Sequence, residues 1–427
     1  RRSPAVLEVD EMSRVLIVGG TGFIGRHVAG RLDAEGHEVI AASRRMLNLA
    51  QDDEARMRGR VAGFDTIVNC AGLARDQRGA TMDEVHGAGA VRLIRAAAGA
   101  GVKRFIHVSA LGVSSAGETR YQRTKGVAED FLASFDPSGE KLDWRVLRPS
   151  VVIGRGGASF DLQLALAALP AIPSVGGGLW RVQPVHIDDF CALVARLVDG
   201  APSERRIDVV GPKPMTTDEL SATLRDWLGL PRAPFIRIPT PLLKIGAALA
   251  GRFTNLPFSS ELLAMLSRGN VGDPAAMTGV LGRPPRELRA ALAQRPACDA
   301  DRAAARLYFI RPLLRWSLAL LWIASGVLSF GLYPVAKSYE LLALLHLSGP
   351  TASAALYGGA AMDLVLGLLL LLRIRPVLVG ALQFASVCVF TLLATGVPAE
   401  YWLHPFAPLL KNLPIAAALL VMIALEA

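Results

Sequence analysis

Cysteine, aromatic side chains and charge are all scarce in this sequence, and each scarcity excludes something. Four cysteines (Cys70, Cys191, Cys298 and Cys388) lie scattered over 427 residues, with no CxxC pair, so no disulfide framework is expected. The seven histidines do not cluster with them at ligand spacing, and no metal site is expected. Aromatic residues make up 6% of the chain, and none interleave with a Lys/Arg run. Nucleic acid is therefore not an expected partner, although the formal net charge is +9. An apolar run at the N-terminus is missing too. Residues 1–11 are polar, so no cleavable signal peptide is expected and the N-terminal domain should stay in the cytoplasm. The first residue is Arg1 rather than methionine, which leaves the true N-terminus open.

Charged residues amount to 19% against 52% hydrophobic ones, and the shortage is uneven. Residues 306–427 hold only seven of the 46 basic and four of the 37 acidic side chains. Four apolar stretches follow one another there: 316–336, 351–372, 376–399 and 405–425. The first and third carry no charge, the second carries Asp363 and the fourth Lys411. Each is long enough to cross a bilayer, which makes a transmembrane four-helix bundle the expected end of the chain. Arg302, Arg306, Arg311 and Arg315 precede the first span, and Arg373 and Arg375 join the second to the third. The opposite loops hold Lys337, Glu340, Glu400 and His404. The basic excess places both termini on the cytoplasmic side of a cell's inner membrane. Lys411 is expected to snorkel outward, and Asp363 to serve packing or function.

What precedes the membrane segment alternates short apolar strands with helices. Strands are expected at 15–18, 38–42, 66–70, 105–109 and 144–147, and helices at 24–35, 83–99 and 121–134. This is the pattern of an α/β fold, a Rossmann-type doubly wound parallel sheet. After residue 150 the pattern loosens into Gly/Pro-rich loops and separate helices, a small substrate lobe over about 150–295. Helix starts are legible at Asp188 and at Thr216, where Glu219 completes capping-box spacing. The domain plan is a tail at 1–13, a nucleotide-binding domain at 14–300 with a linker near 295–302, and a membrane domain at 301–427.

Gly19-Gly20-Thr21-Gly22-Phe23-Ile24-Gly25 lies between the first strand and the first helix. Glycine there permits a tight turn, close approach of backbone to pyrophosphate, and close helix–strand packing, while the helix N-terminus offers N–H groups. The second strand ends in Ser43-Arg44-Arg45 where an NAD site usually has an acidic residue. Two arginines suit the 2′-phosphate of NADP(H), which is favoured over NAD(H). Tyr121 and Lys125 form YxxxK, one turn apart on one helix face. An ammonium near the phenol is expected to lower its pKa and allow proton exchange with a substrate oxygen. His107 and His186 read as packed or structural histidines.

With the glycine motif, Asn69-Cys70-Ala71-Gly72, the run from Phe105 to Gly112, Tyr121/Lys125 and Leu147-Arg148-Pro149-Ser150, the chain resembles extended and atypical short-chain dehydrogenase/reductases. Gln183-Pro-Val-His-Ile-Asp-Asp189 and Val210-Gly-Pro-Lys-Pro-Met-Thr216 are similar to the branch that includes the nucleotide-binding accessory subunit of mitochondrial respiratory complex I. The tail, through Trp402-Leu-His-Pro405 and Lys411-Asn-Leu-Pro414, resembles the DoxX-like membrane family. The resemblance implies Tyr121, Lys125 and Ser109 as catalytic. It also implies a cofactor site of Gly19–Gly25, Ser43, Arg44, Arg45, Asn48, Cys70, Ala71, Gly72, Ser109, Tyr121, Lys125 and Pro149. One departure stands out: Ala110 occupies the place of the hydroxyl residue that helps orient the substrate oxygen, with Ser109, Ser114 or Ser115 as replacements. Two functions are open. One is a membrane-anchored NADP(H)-dependent oxidoreductase for a lipophilic carbonyl, alcohol, quinone or isoprenoid substrate. The other is a non-catalytic nucleotide-binding module that senses redox state or stabilises a membrane protein complex.

Overall fold

The computed structural model describes residues 12–243, 245–246, 260–395, 402 and 409–427. The chain divides into two compact units, Arg1–Ala305 and Arg306–Ala427.

In the first unit, β1 (Arg14–Val18), α1 (Phe23–Ala34), β2 (Glu38–Ala42), α2 (Glu54–Val61) and β3 (Thr66–Asn69) follow in turn. Then come α3 (Gly89–Gly99), β4 (Arg104–Val108), α4 (Arg120–Phe135) and β5 (Asp143–Pro149). With the strand Arg206–Val209 they build one six-stranded sheet in the order β2-β1-β3-β4-β5-(Arg206–Val209), every pairing parallel. Side-chain alternation loads both faces. Leu16, Val18, Ile67 and Phe105 enter a core with α2, α3 and α4, while Val15, Ile17, Val68 and Ile106 enter another with α1 and the helix Ile187–Val198. The strand order reverses between β1 and β3, and that switch point opens the crevice where such sheets take ligands.

Two expectations shift. The stretch expected as one helix over 83–99 begins as a π-helical turn, Asp83–Ala88, before α3. The extra residue in that turn carries His86 inward, where its side chain is buried. The segment after residue 150 is not all lobe. Helix Ile187–Val198 and strand Arg206–Val209 belong to the main sheet, because their apolar faces (Phe190, Leu193, Ile207, Val209) complete the second core. The rest is a small lobe of helices and two-stranded pairings around Phe160, Leu220 and Leu224. Its helix Thr217–Trp227 starts on the Thr216/Glu219 capping box. The expected linker is already helical from Asp299.

Among the described residues three helices are long and apolar enough to cross a membrane: Asp299–Leu332, which begins in the first unit, Gly349–Leu371 and Pro376–Ala394. The fourth expected span is helical over Asn412–Glu426, 15 residues, and part of its beginning lies outside the described residues. Small residues set the packing. A Cβ on Gly326 would lie 2.8 Å from the Ala360 carbonyl oxygen, and one on Gly367 2.9 Å from the Ile323 backbone nitrogen. At one end Glu426, its side chain 1% exposed, accepts from Arg315 at 2.9 Å, Arg311 at 3.1 Å and Arg373 at 3.3 Å. Asp363 accepts the Ser325 hydroxyl at 2.9 Å, and no ion pair joins it to Lys411 among the described residues.

Candidate functional site

The glycine loop is held by backbone alone. Gly20 N–H donates to Ala42 O at 3.1 Å and Gly22 N–H to Gly19 O at 3.0 Å. Gly19 has φ +75°, and a Cβ there would lie 2.8 Å from the Ala71 nitrogen. A Cβ on Gly25 would lie 2.4 Å from Gly19 O. The turn, α1 and the segment after β3 are thus in backbone contact, which only glycine allows. Gly22 is the N-cap of α1 and supplies no side-chain cap, so the helix's first N–H groups and its positive dipole end remain for an anion. Thr21 and Gly22 are exposed, and Phe23 and Ile24 half-buried. A side-chain-free cradle ending in a helix N-terminus fits a dinucleotide pyrophosphate.

At the end of β2, Ser43 O accepts Met46 and Leu47 N–H at 3.0 Å each, a turn that leaves Arg44 and Arg45 exposed. Arg44 donates to Gln77 Oε1 at 2.8 Å. Asn48 shapes the loop, accepting Ala50 N–H at 3.1 Å and donating its own N–H to Asp52 at 2.7 Å. Cys70 N–H donates to Val18 O at 2.9 Å, and burial pushes its thiol up to about 12. Pro149 O accepts Leu111 N–H at 3.0 Å.

Tyr121 and Lys125 lie on α4, whose start is fixed by a Thr119/Gln122 capping box. The Tyr121 N–H donates to Glu261 Oε2 at 3.1 Å, an acceptor at the dipole's positive end from 140 residues away. Lys125 is buried, donates Nζ–H to Val108 O at 2.9 Å, and holds its ammonium 5.8 Å from the Tyr121 ring centroid. A Cβ on Gly72 would sit 3.6 Å from Lys125 Nζ and from His86 Nε2, so the β3 loop lies over the pair. His86 Nε2 accepts Leu73 N–H at 2.7 Å, its Nδ1 meets Thr124 Oγ1 at 3.1 Å, and its ring stands edge-on to Tyr121 at 5.5 Å.

The electrostatics correct one expectation. Lys125 does not pull the phenol down. Burial pushes Tyr121 up to about 12, while burial lowers Lys125 to about 8 despite the Glu129 carboxylate. The ammonium faces the ring and the Val108 carbonyl, and desolvation of the phenolate outweighs it. Ser109 also stands elsewhere than a substrate-orienting role requires. Its buried hydroxyl donates to Glu129, which pairs with Arg148 (Nε 3.0 Å) and Arg206 (3.6 Å). Ala110 is buried, and Ser114 and Ser115 lie exposed on the following loop.

The structure thus brings together the glycine loop, Ala71–Gly72 and the Tyr121/Lys125 face, with Ser109 next to the Val108 carbonyl that Lys125 binds and its own hydroxyl given to Glu129. Sequence reasoning missed Glu129 and Glu261. Glu129 had a signal, standing four residues after Lys125 on the same helix face. Glu261 had none. His186 caps the helix Ile187–Val198, accepting Asp188 N–H at 3.3 Å, as a structural histidine does.

Residues 15–209 match the NAD dependent epimerase/dehydratase family, and residues 319–420 match the DoxX-like family. The first unit is therefore epimerase/dehydratase-like with a Rossmann sheet, and the second is a DoxX-like domain of apolar helices. Among curated relatives, the Arabidopsis thaliana mitochondrial NADH dehydrogenase [ubiquinone] 1 alpha subcomplex subunit 9 is 26% identical over 259 residues, 54% of this chain and 62% of that protein. The match thus spans less than two thirds of that relative's length. The ceramide reductase of Caulobacter vibrioides is 26% identical over 275 residues, 58% of this chain and 81% of its own. The Streptomyces venezuelae dTDP-glucose 4,6-dehydratase with NAD and TYD bound is similar at 20% identity and a TM-score of 0.48, over 66% of this chain and 95% of that one.

Proposed function

We propose that this protein is a membrane-anchored, NADP(H)-dependent reductase of a carbonyl group on a lipophilic substrate. The observation that carries the reading is the Tyr121/Lys125 pair on α4, with the Lys125 ammonium fixed on Val108 O, 5.8 Å from the phenol ring, and the Gly72 backbone beside it. A phenol there can donate its proton to a carbonyl oxygen in reduction and, as phenolate, take it back in oxidation. The bound dinucleotide supplies the hydride. Lys125 would hold the nicotinamide ribose, its ammonium oriented by the hydrogen bond to Val108 O. The glycine loop and the α1 N-terminus hold the pyrophosphate, and Arg44 and Arg45 meet the adenosine 2′-phosphate. A bilayer anchor suits a substrate that partitions into lipid, and a ceramide reductase among the relatives supports that class. Both ends of the membrane domain face the cytoplasm, given Arg306, Arg311, Arg315, Arg373 and Arg375 at one end of the bundle.

A second reading has its own observation. Ser109 gives its hydroxyl to Glu129 and Ala110 beside it has none, and loss of one substrate-orienting donor commonly costs about 10²–10³ in rate. On that reading the domain binds NADP(H) without turnover and stabilises a membrane complex, as the resemblance to a complex I subunit suggests.

NADPH oxidation in the full-length protein, with lipid aldehydes, long-chain ketones and quinones as acceptors, separates the two. Reduction that is lost in Tyr121→Phe and raised in Ala110→Ser supports the enzyme. Tight cofactor binding with no oxidation in any variant gives the case to the binding module. In calorimetry NADPH is expected to bind about tenfold tighter than NADH, ~1.4 kcal/mol, with the order reversed by Arg44→Asp. Equal affinities would reject the 2′-phosphate assignment.

A further inference from the structure

The second unit contains a cleft of about 420 Å³, within the usual range for small-molecule sites. Only about half of its wall is apolar, and five polar side chains line it: Ser325, Ser329, Asp363, Ser386 and Asn412. They come from all three membrane-length helices and from the helix Asn412–Glu426. Asp363 stands 14 residues into the helix Gly349–Leu371, about 20 Å from its start, where hydrocarbon surrounds the bundle.

A carboxyl at that depth requires a partner. Ser325 supplies one hydrogen bond, which alone would suit a packing role. Three further observations go beyond packing. Among the described residues no Lys, Arg or His lines the cleft, so none of them balances a carboxylate there. The Ser329 and Ser386 hydroxyls make no hydrogen bond to any described residue, and Asn412 donates one amide N–H to Thr391 at 2.9 Å while its oxygen accepts from no described residue. Three residues before Ser386 on the same helix, fully buried Gln383 leaves both amide atoms without a partner among the described residues. Among its described residues the cleft holds an acid without a base and more hydrogen-bonding capacity than it uses.

We propose that this cleft binds a long-chain amine or amino alcohol from within the bilayer. Asp363 takes the ammonium, Ser329, Ser386 and Asn412 take its remaining N–H or hydroxyl groups, and Trp322 and Phe390 flank the chain. The ligand supplies the positive charge that the cleft lacks, and its tail remains in an apolar environment. A fatty acid brings a second carboxyl and no positive charge, so it should bind less well than the amine.

The test uses the full-length protein in zwitterionic nanodiscs and a hexadecylamine carrying a photoreactive diazirine in its tail, with labelled peptides mapped by mass spectrometry. Labelling is expected on the helices Gly349–Leu371 and Pro376–Ala394. Unlabelled hexadecylamine should displace it at least about tenfold better than hexadecanoic acid, ~1.4 kcal/mol. Asp363→Asn removes the charge and should lower labelling about tenfold. Gly359→Leu is the second variant. Gly359 lines the cleft, and a Cβ there meets nothing within 4 Å, so leucine fills the space and leaves the Asp363–Ser325 bond intact. It too should abolish labelling, with unfolding temperature unchanged. Equal displacement by amine and acid overturns the proposal, as does wild-type labelling in Gly359→Leu or in a folded Asp363→Asn.

Discussion

His86 and His107 show what burial does to a single side chain. Both rings are nearly inaccessible, and desolvation, with the Lys125 ammonium nearby, lowers them from 6.5 to about 2 and about 3. They stay neutral when folded, whereas an unfolded chain protonates them below about pH 6.5. Between there and the folded values the unfolded state binds more protons. Stability is therefore full above pH 6.5 and falls as pH drops, by up to about 1.4 kcal/mol per pH unit for each histidine. Urea unfolding midpoints measured from pH 7 to pH 5 should show this loss, and His86→Gln should remove about one proton from the slope. An unchanged slope would mean that His86 is protonated in the folded protein. The neighbouring Cys70 thiol, held up near 12, should resist alkylation at neutral pH.

At the level of the element, α1 contains two glycines with opposite duties. Gly25 faces backbone that cannot move aside, while Gly30 is exposed with nothing within 4 Å of a Cβ. Gly25→Ala should cost about 1–3 kcal/mol and abolish dinucleotide binding. Gly30→Ala should stabilise by about 0.5–1 kcal/mol and leave binding unchanged, since alanine lowers the entropic cost of helix formation. Thermal melts paired with cofactor titration check both, and similar effects of the two would refute the packing argument. The contrast also marks how far the sequence could be read. A motif of strand, glycine turn and helix is local, so Gly19–Gly25, Tyr121/Lys125 and the first five strands were visible in the order of the residues. The Ser109–Glu129–Arg148–Arg206 network was not, because it joins β4, α4, β5 and a strand 97 positions beyond Ser109 in sequence. Helix Ile187–Val198 was seen but assigned to the lobe, since periodicity reveals an apolar face without saying which sheet it covers. The π-helical turn at His86 was hidden for a related reason: one extra residue per turn leaves no mark in composition.

Across the whole molecule, the arrangement of basic residues makes a topological prediction. Reporters placed after Ala427 and at Ser348, the N-cap of the helix Gly349–Leu371, should report opposite compartments. The same signal from both would require an odd number of crossings to be recounted. The charges behind that orientation are, in the finished bundle, partly neutralised by Glu426. During synthesis they are not. Glu426 is added 115 residues after Arg311 and 111 after Arg315. At roughly 5–20 residues per second, the two arginines stand without this partner for about 6–23 s. That interval includes insertion of the first three long helices. On the proposed topology each commits while the arginines still exert their full charge, and the acid that later clasps them closes an orientation set before it was made. The order of translation thus separates two uses of the same side chains: first as a signal to the insertion machinery, then as a tie across the bundle.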